Sequence, residues 1–100
     1  MEYVVRLGPR VVWQIGRWGL SDFLLVEVYL QLREEMPRSP LRTLQRDEDR
    51  PGSHFVFECR DPGDHRFQHL FMFRVYFDED ENHLDVDAGS YWRNYQPTIE

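Results

Sequence analysis

The second half of the chain alternates apolar and polar residues with the period of two that is typical of β-strands. This pattern predicts three strands, over 54–60, 66–78 and 84–88. Turn residues separate the first two strands, and an acidic segment separates the last two. Strands joined by short turns form an antiparallel meander, and we expect Gly89 and Ser90 to end its last strand.

The first half of the chain has helical spacing instead. After a short apolar strand over 3–7, Pro9 is expected to begin a short helix that ends at Gly19. Ser21 then provides an N-cap for a second helix, which Pro37 and Pro40 are expected to end. One face of this second helix carries apolar residues at helical spacing, namely Leu25, Val28, Tyr29, Leu32 and Met36.

These elements predict one α+β domain over residues 1–100, with the order β-α-α-β-β-β. The sheet is expected to be mainly antiparallel, with two helices packed on one face, the face rich in phenylalanine. Residues 37–53 are predicted to be a connecting loop and residues 94–100 a tail. A chain of 100 residues is the usual size of one domain.

Composition restricts the classes of function. A single cysteine, Cys59, excludes an internal disulfide and favours a reducing compartment. The chain shows neither a signal peptide nor a membrane-spanning stretch, so the cytoplasm is the expected location and no membrane partner is expected. The net charge is −6, with the acidic excess in the second half, whereas a general nucleic-acid binder is basic.

Metal and cofactor chemistry finds little support in the sequence. His65 and His69 share a strand face but lie roughly 13 Å apart at ~3.3 Å per residue, too far to hold one metal ion. Asp85 and Asp87 are expected on one exposed strand face, where carboxylates are usually solvated. We therefore predict no metal site and no small-molecule cofactor.

Two arginines on the first two predicted strands of the meander offer more specific chemistry. Arg60 and Arg74 are expected on the face opposite the phenylalanine stripe, and Arg74 interrupts the longest apolar run. A guanidinium placed there needs an anion. Two readings stay open, a salt bridge to Glu58, Asp85 or Asp87, or a bound phosphate.

Three segments of the chain resemble the RelE/ParE superfamily of bacterial toxins. The resemblance covers residues 3–93 and includes the helical hairpin followed by Pro40-Leu41-Arg42-Thr43-Leu44. It also includes the second-strand segment Phe55-Val56-Phe57-Glu58-Cys59-Arg60-Asp61-Pro62-Gly63. The third segment is Phe73-Arg74-Val75-Tyr76-Phe77-Asp78-Glu79.

The RNA-cleaving members of this superfamily imply a ribosome-dependent endoribonuclease that cuts mRNA and is neutralised by an antitoxin protein. The resemblance implies that Arg60 and Arg74 bind phosphate and that Tyr91 transfers a proton. It further implies RNA contacts by the remaining arginines near the site, Arg42, Arg46, Arg66 and Arg93. The alternative is a non-enzymatic protein-binding module of the same fold, either ParE-like or an inactive relative.

Overall fold

The computed structural model describes residues 3–38, 44–46, 53–78 and 80–95. Two helices, α1 (Pro9–Arg17) and α2 (Asp22–Leu30), follow the first strand, and α2 continues through a π-helical segment (Gln31–Glu35) into α3 (Met36–Arg38). The strands are β1 (Val4–Leu7), β2 (Leu44–Arg46), β3 (Ser53–Asp61), β4 (Asp64–Asp78) and β5 (His83–Tyr95).

The five strands form one sheet in the order β1-β5-β4-β3-β2. Strand β1 pairs in parallel with β5, and the other neighbours are antiparallel. The helices pack on the phenylalanine-rich face, where Phe71 and Phe73 are fully buried against apolar side chains of α1 and α2. The α+β class, the mainly antiparallel sheet and the helix pair on one face are therefore confirmed. We call this face the helix face and the opposite one the outer face.

The second helix continues one residue past Pro37, the first of the two prolines expected to end it. Its buried residues recur every four positions, at Leu24, Val28, Leu32 and Met36, a spacing wider than the 3.6 residues of an α-helical turn. The wider π-helical turn keeps this row on one side. Pro37, expected to end the helix, lies inside α3 instead, next to the π-helical segment.

The segment 37–53, expected to be a connecting loop, contains regular structure at both ends and in its middle. The helix runs to Arg38, β2 pairs with β3 through Leu44 and Phe55, and β3 begins at Ser53. Three residues are too short for alternation to be recognised in a sequence, which is why β2 was not predicted.

The last strand continues through Gly89 and Ser90, where the sequence predicted its end. A β-bulge at Asp87 makes this possible, because Arg74 pairs with Ala88 while Val75 pairs with Val86. The extra residue reverses the alternation of side chains along the strand. Gly89 and Tyr91 therefore lie on the helix face, and Ala88 lies on the outer face. Gly89 is required there, since a Cβ would lie 2.7 Å from the Phe73 ring.

Candidate active site

A cleft of about 420 Å³ lies on the helix face, where the α1–α2 connection meets one end of the sheet. Trp18 and Ser21 form its helical wall, and the ends of β3, β4 and β5 form its floor. Its titratable side chains come from three strands: Asp61, Asp64, His69, Tyr91 and Arg93. The bulge at Asp87 brings Tyr91 to this face, so the cleft depends on an irregularity that simple alternation does not show.

At the centre of the cleft, His69 and Tyr91 share a hydrogen bond of 2.6 Å between Nδ1 and the phenol oxygen. The two rings are parallel within 5°, with centroids 5.8 Å apart. Phe71 stacks on Tyr91 at 5.0 Å, and Trp18 contacts it at 5.5 Å. Aromatic packing on several sides fixes the phenol, so its oxygen has a defined position in the cleft.

Burial shifts both members of this pair away from their charged forms. Desolvation lowers the pKa of His69 from its ordinary value, and the positive charge of Arg93 lowers it further. Desolvation raises the pKa of Tyr91, partly offset by Arg93. At neutral pH the imidazole is therefore neutral and the phenol is protonated. In the tautomer of His69 that carries its proton on Nε2, Tyr91 donates its proton to Nδ1.

Arg93 supplies a positive charge at the mouth of the cleft. Its guanidinium carbon lies 4.4 Å from the centre of the Phe67 ring, an arrangement that holds the side chain over an aromatic face. Within the described part of the chain Arg93 forms no ion pair, unlike Arg66, which binds both carboxylate oxygens of Asp64. That pairing lowers the pKa of Asp64 to about 2 and leaves Arg66 occupied.

The opposite rim of the cleft is fixed by a contact between α2 and the β3–β4 turn. The Ser21 hydroxyl accepts a hydrogen bond from the Leu24 N–H and donates one to Asp61 Oδ2 at 2.5 Å. Asp61 Oδ1 accepts the Gly63 N–H, and these two bonds lower the pKa of Asp61. Both oxygens of this carboxylate are thus committed to structure.

The outer face of the sheet holds Arg74, away from Tyr91. Its guanidinium forms two hydrogen bonds, of 2.9 and 2.6 Å, to the carboxylate of Asp87. Of the two readings that the sequence left open for Arg74, the salt bridge is therefore confirmed, and Asp87 is its partner. Asp85 is likewise paired, with Arg6 at 2.7 Å.

The other predicted arginines are spread over the molecule. Arg60 donates a hydrogen bond to the backbone oxygen of His65 at 3.1 Å. His65 precedes Arg74 by nine residues on β4, so the two arginines are separated by roughly 30 Å at ~3.3 Å per residue. Arg46 lies in β2, at the far side of the sheet from β5, and Arg42 lies outside the described residues. Of the predicted site residues in the described ranges, Tyr91 and Arg93 line the cleft, whereas Arg60, Arg66 and Arg74 do not.

His69 is the member of the cleft that the sequence analysis did not select. The sequence analysis treats it only as a possible metal ligand together with His65, and the distance between these two histidines excludes a shared metal ion. The position of His69 could have identified it: this titratable residue lies in the core-facing row of β4 between Phe67 and Phe71, and it is only 6% exposed. A histidine on an otherwise apolar strand face needs a buried polar partner, and Tyr91 supplies it.

The described part of the molecule has neither a metal-binding cluster nor a membrane-spanning helix. No group of three or more histidine, cysteine, aspartate or glutamate side chains there is arranged to hold a metal ion. None of the helices in the described ranges has the length and apolar character that crossing a membrane requires.

Comparison with known proteins identifies the fold. No protein-family model matches the chain, and no curated protein matches it. Among solved structures, a chain of the toxin–antitoxin complex RelBE2 from Mycobacterium tuberculosis is similar with a TM-score of 0.55. The two chains are 18% identical, and the similarity covers 86% of this chain and 93% of that one. The protein has a RelE-type fold.

The resemblance inferred from the sequence motifs is thus confirmed at the level of the fold. In this chain the parallel edge strand, the helical hairpin and the meander are the elements that build the cleft.

Proposed function

We propose that this protein is the toxin of a toxin–antitoxin pair and that it cleaves RNA in the cleft around Tyr91. The observation that carries the proposal is the partly buried His69–Tyr91 hydrogen bond beside Arg93, which has no ion pair among the described residues. A proton-transfer pair next to an available guanidinium is the equipment that phosphodiester cleavage requires.

In the proposed reaction, the 2′-oxygen of a ribose attacks the adjacent phosphorus and the bond to the 5′-oxygen breaks. The 2′-hydroxyl proton passes to the Tyr91 oxygen as the phenol proton passes to Nδ1 of His69. The 5′-oxygen leaves as a hydroxyl after taking a proton from water, and the resulting hydroxide takes back, through Tyr91, the proton that His69 has accepted. The other product is a 2′,3′-cyclic phosphate. Arg93 stabilises the negative charge that develops on the phosphate oxygens.

The buried position of His69 determines which side chain meets the substrate. Because the imidazole is only 6% exposed, RNA reaches it through Tyr91 and not directly. Tyr91 is therefore the proposed catalytic residue, and His69 accepts its proton from behind. Arg60 and Arg74, which the sequence motifs suggested for phosphate binding, are not assigned this role, since neither lines the cleft.

The acidity of the whole chain suits a substrate that is delivered by a larger particle. With a net charge of −6, the protein does not attract free RNA at long range. An mRNA held on a translating ribosome, in the cytoplasm, avoids this requirement, because the ribosome positions the strand. We accordingly include the ribosome and mRNA among the proposed partners, with the antitoxin as the neutralising protein.

The test is induced expression of the wild type and of Tyr91→Phe, with growth followed and mRNA ends mapped. Removing the phenol oxygen should reduce cleavage by about 10²-fold or more, the usual contribution of one acid–base group. Tyr76→Phe is the matched control, because Tyr76 lies beside Arg74 on the outer face, and it should cleave like the wild type. Equal mRNA cleavage by wild type and Tyr91→Phe would refute the proposal.

A second candidate function, a non-enzymatic protein-binding module, is favoured by the apolar surface of α2. Phe23, Val26 and Leu30 on this helix are 42%, 57% and 41% exposed. Adjacent apolar side chains of this size are common at protein interfaces. This candidate predicts no mRNA cleavage by the wild type on translating ribosomes, together with a stable complex with a protein partner.

A further inference from the structure

Strand β5 is much longer than β1, the strand that pairs with it on the side away from β4. It has 13 residues, and β1 pairs only with the first four of them, from His83 to Val86. Beyond that point the chain turns at Gly8, whose N–H donates to the Val86 oxygen, and enters α1. Among the described residues, no strand pairs with β5 on this side from Asp87 to Tyr95.

The direction of the backbone groups along this edge follows from one contact. The Gly89 N–H points away from β4, because it donates to the side-chain oxygen of Gln14 at 2.8 Å. Pairing with β4 is regular from Gly89 to Tyr95, so alternate residues point the same way. The N–H and C=O groups of Tyr91, Arg93 and Tyr95 therefore face the open edge, while those of Trp92 and Asn94 bond to β4.

This edge differs from the protected edges that proteins usually present. Unpaired edge groups invite another strand, and natural proteins cover or shorten such edges. Here Gln14 covers the first position, and the next three positions have no such hydrogen bond within the described ranges. The side chains along the segment are also accessible, with Trp92 49% and Tyr95 62% exposed.

We propose that the open edge of β5 binds an extended segment of a partner protein, which adds a sixth strand beside Tyr91, Arg93 and Tyr95. The backbone pattern requires an extended peptide, since only a strand matches alternating N–H and C=O groups. On the helix face, the residue opposite Arg93 is acidic, because a carboxylate pairs with this guanidinium across the strands. On the outer face, an aliphatic residue packs against Trp92.

Such a strand has a consequence for the cleft. Its acidic side chain occupies Arg93 and lies beside Tyr91, which are the groups proposed to bind and cleave RNA. Docking at the edge therefore blocks the site. The docking itself stands on the strand geometry alone, and only the inhibition rests on the proposed function.

Amide hydrogen exchange of the full-length protein tests the docking, because the pairing alternates along β5. In the free protein, the amides of Trp92 and Asn94 should exchange about tenfold or more slowly than those of Tyr91 and Arg93. The probe is the synthetic peptide Thr-Val-Asp-Val-Asp-Val-Thr, at about 1 mM. It should slow Tyr91 and Arg93 by about tenfold and leave Trp92 and Asn94 unchanged.

The matched control peptide carries lysine in place of both aspartates and should protect the edge less. Arg93→Glu should reverse this preference, which a purely hydrophobic contact would not do. Three results would overturn the proposal. In the first, neither peptide slows hydrogen exchange of the Tyr91 and Arg93 amides. In the second, these amides already exchange slowly in the dilute free protein. In the third, their exchange slows as the protein concentration rises, without any peptide. The last result would assign the edge to a second copy of the chain.

Cleavage assays on translating ribosomes separate this proposal from the preceding one. If the acidic peptide protects the edge but the wild type never cleaves mRNA, the docking surface stands and the ribonuclease proposal fails. If the protein cleaves mRNA but the edge shows no protection, the ribonuclease proposal stands and the docking surface is wrong.

Discussion

The hydrogen bond of 2.6 Å between His69 and Tyr91 sets the protonation state on which the proposed chemistry depends. A neutral imidazole accepts the phenol proton, whereas a charged imidazolium repels it. The proposed chemistry therefore depends on one titration, that of His69. Its pKa is lowered first by desolvation and then by Arg93, so the neutral form persists below the ordinary histidine range.

The pH dependence of cleavage follows from this titration. We expect the rate to be constant from pH 7 to 8 and to fall only below the ordinary histidine pKa of about 6.5. In Arg93→Ala the pKa of His69 should rise, so the residual activity should decline at a higher pH than in the wild type. A rate profile with the same midpoint in both proteins would contradict the assigned proton acceptor.

The same titration affects stability in a predictable direction. A histidine with a lowered folded-state pKa binds fewer protons than in the unfolded chain, so folding weakens as the pH falls through about 6.5. The melting temperature should drop between pH 7.5 and 5.5, and His69→Gln should show a smaller drop. An unchanged pH slope in His69→Gln would show that this residue does not couple folding to protonation.

At the scale of elements, β5 links the fold to the site. Its bulge at Asp87 changes which residues face the helices, and Gly89 lets the strand pass close under two aromatic rings. Alternation in the sequence predicted the first part of β5 correctly and grouped Ala88 with Leu84 and Val86, whereas the bulge places Ala88 on the outer face. Tyr91 was expected beyond the end of the strand, so the sequence assigned it to no face. A bulge depends on the register with the partner strand, here the pairing of Arg74 with Ala88 and of Val75 with Val86, and a one-dimensional pattern does not contain that information.

Gly89→Ala tests this close approach. The added Cβ would lie 2.7 Å from a ring carbon of Phe73 and 3.0 Å from Trp18, and Phe73 is fully buried. We expect a loss of about 1–3 kcal/mol in the free energy of unfolding, measured by urea denaturation. Gly16→Ala is the matched control, because nothing lies within 4 Å there, and it should stabilise helix α1 by about 0.5–1 kcal/mol. Equal effects of the two substitutions would contradict the described packing.

The second helix offers another matched pair of substitutions. Leu32, in the π-helical segment, is fully buried, whereas Leu30, two residues earlier, is 41% exposed. Leu32→Ala should cost about 2–5 kcal/mol in the free energy of unfolding. Leu30→Ala should cost less than about 1 kcal/mol, since it leaves no buried cavity. The reverse ranking would show that the helix is rotated relative to the sheet.

At the scale of the whole molecule, the two faces of the sheet carry different chemistry. The outer face holds the ion pairs Arg6–Asp85 and Arg74–Asp87, which neutralise the acidic residues of β5. The helix face holds the cleft with Tyr91 and Arg93. The element order and the meander were predictable from periodicity because they depend on local patterns. The grouping of side chains was not, because it depends on the bulge and on cross-strand pairing.

The central claim is that the cleft on the helix face, and not the outer face, carries the activity. Arg93→Ala and Arg74→Ala test it directly, because each removes one guanidinium from one face. The measurement is the rate of mRNA cleavage by each purified variant on translating ribosomes, with its melting temperature as the control for folding.

We predict that Arg93→Ala lowers the cleavage rate by about 10²-fold or more, as expected for loss of a group that stabilises the transition state. Arg74→Ala should cleave within about threefold of the wild type, since it removes a partly exposed ion pair worth at most about 1 kcal/mol. Loss of cleavage in Arg74→Ala with full cleavage in Arg93→Ala would place the reaction on the outer face and contradict the account.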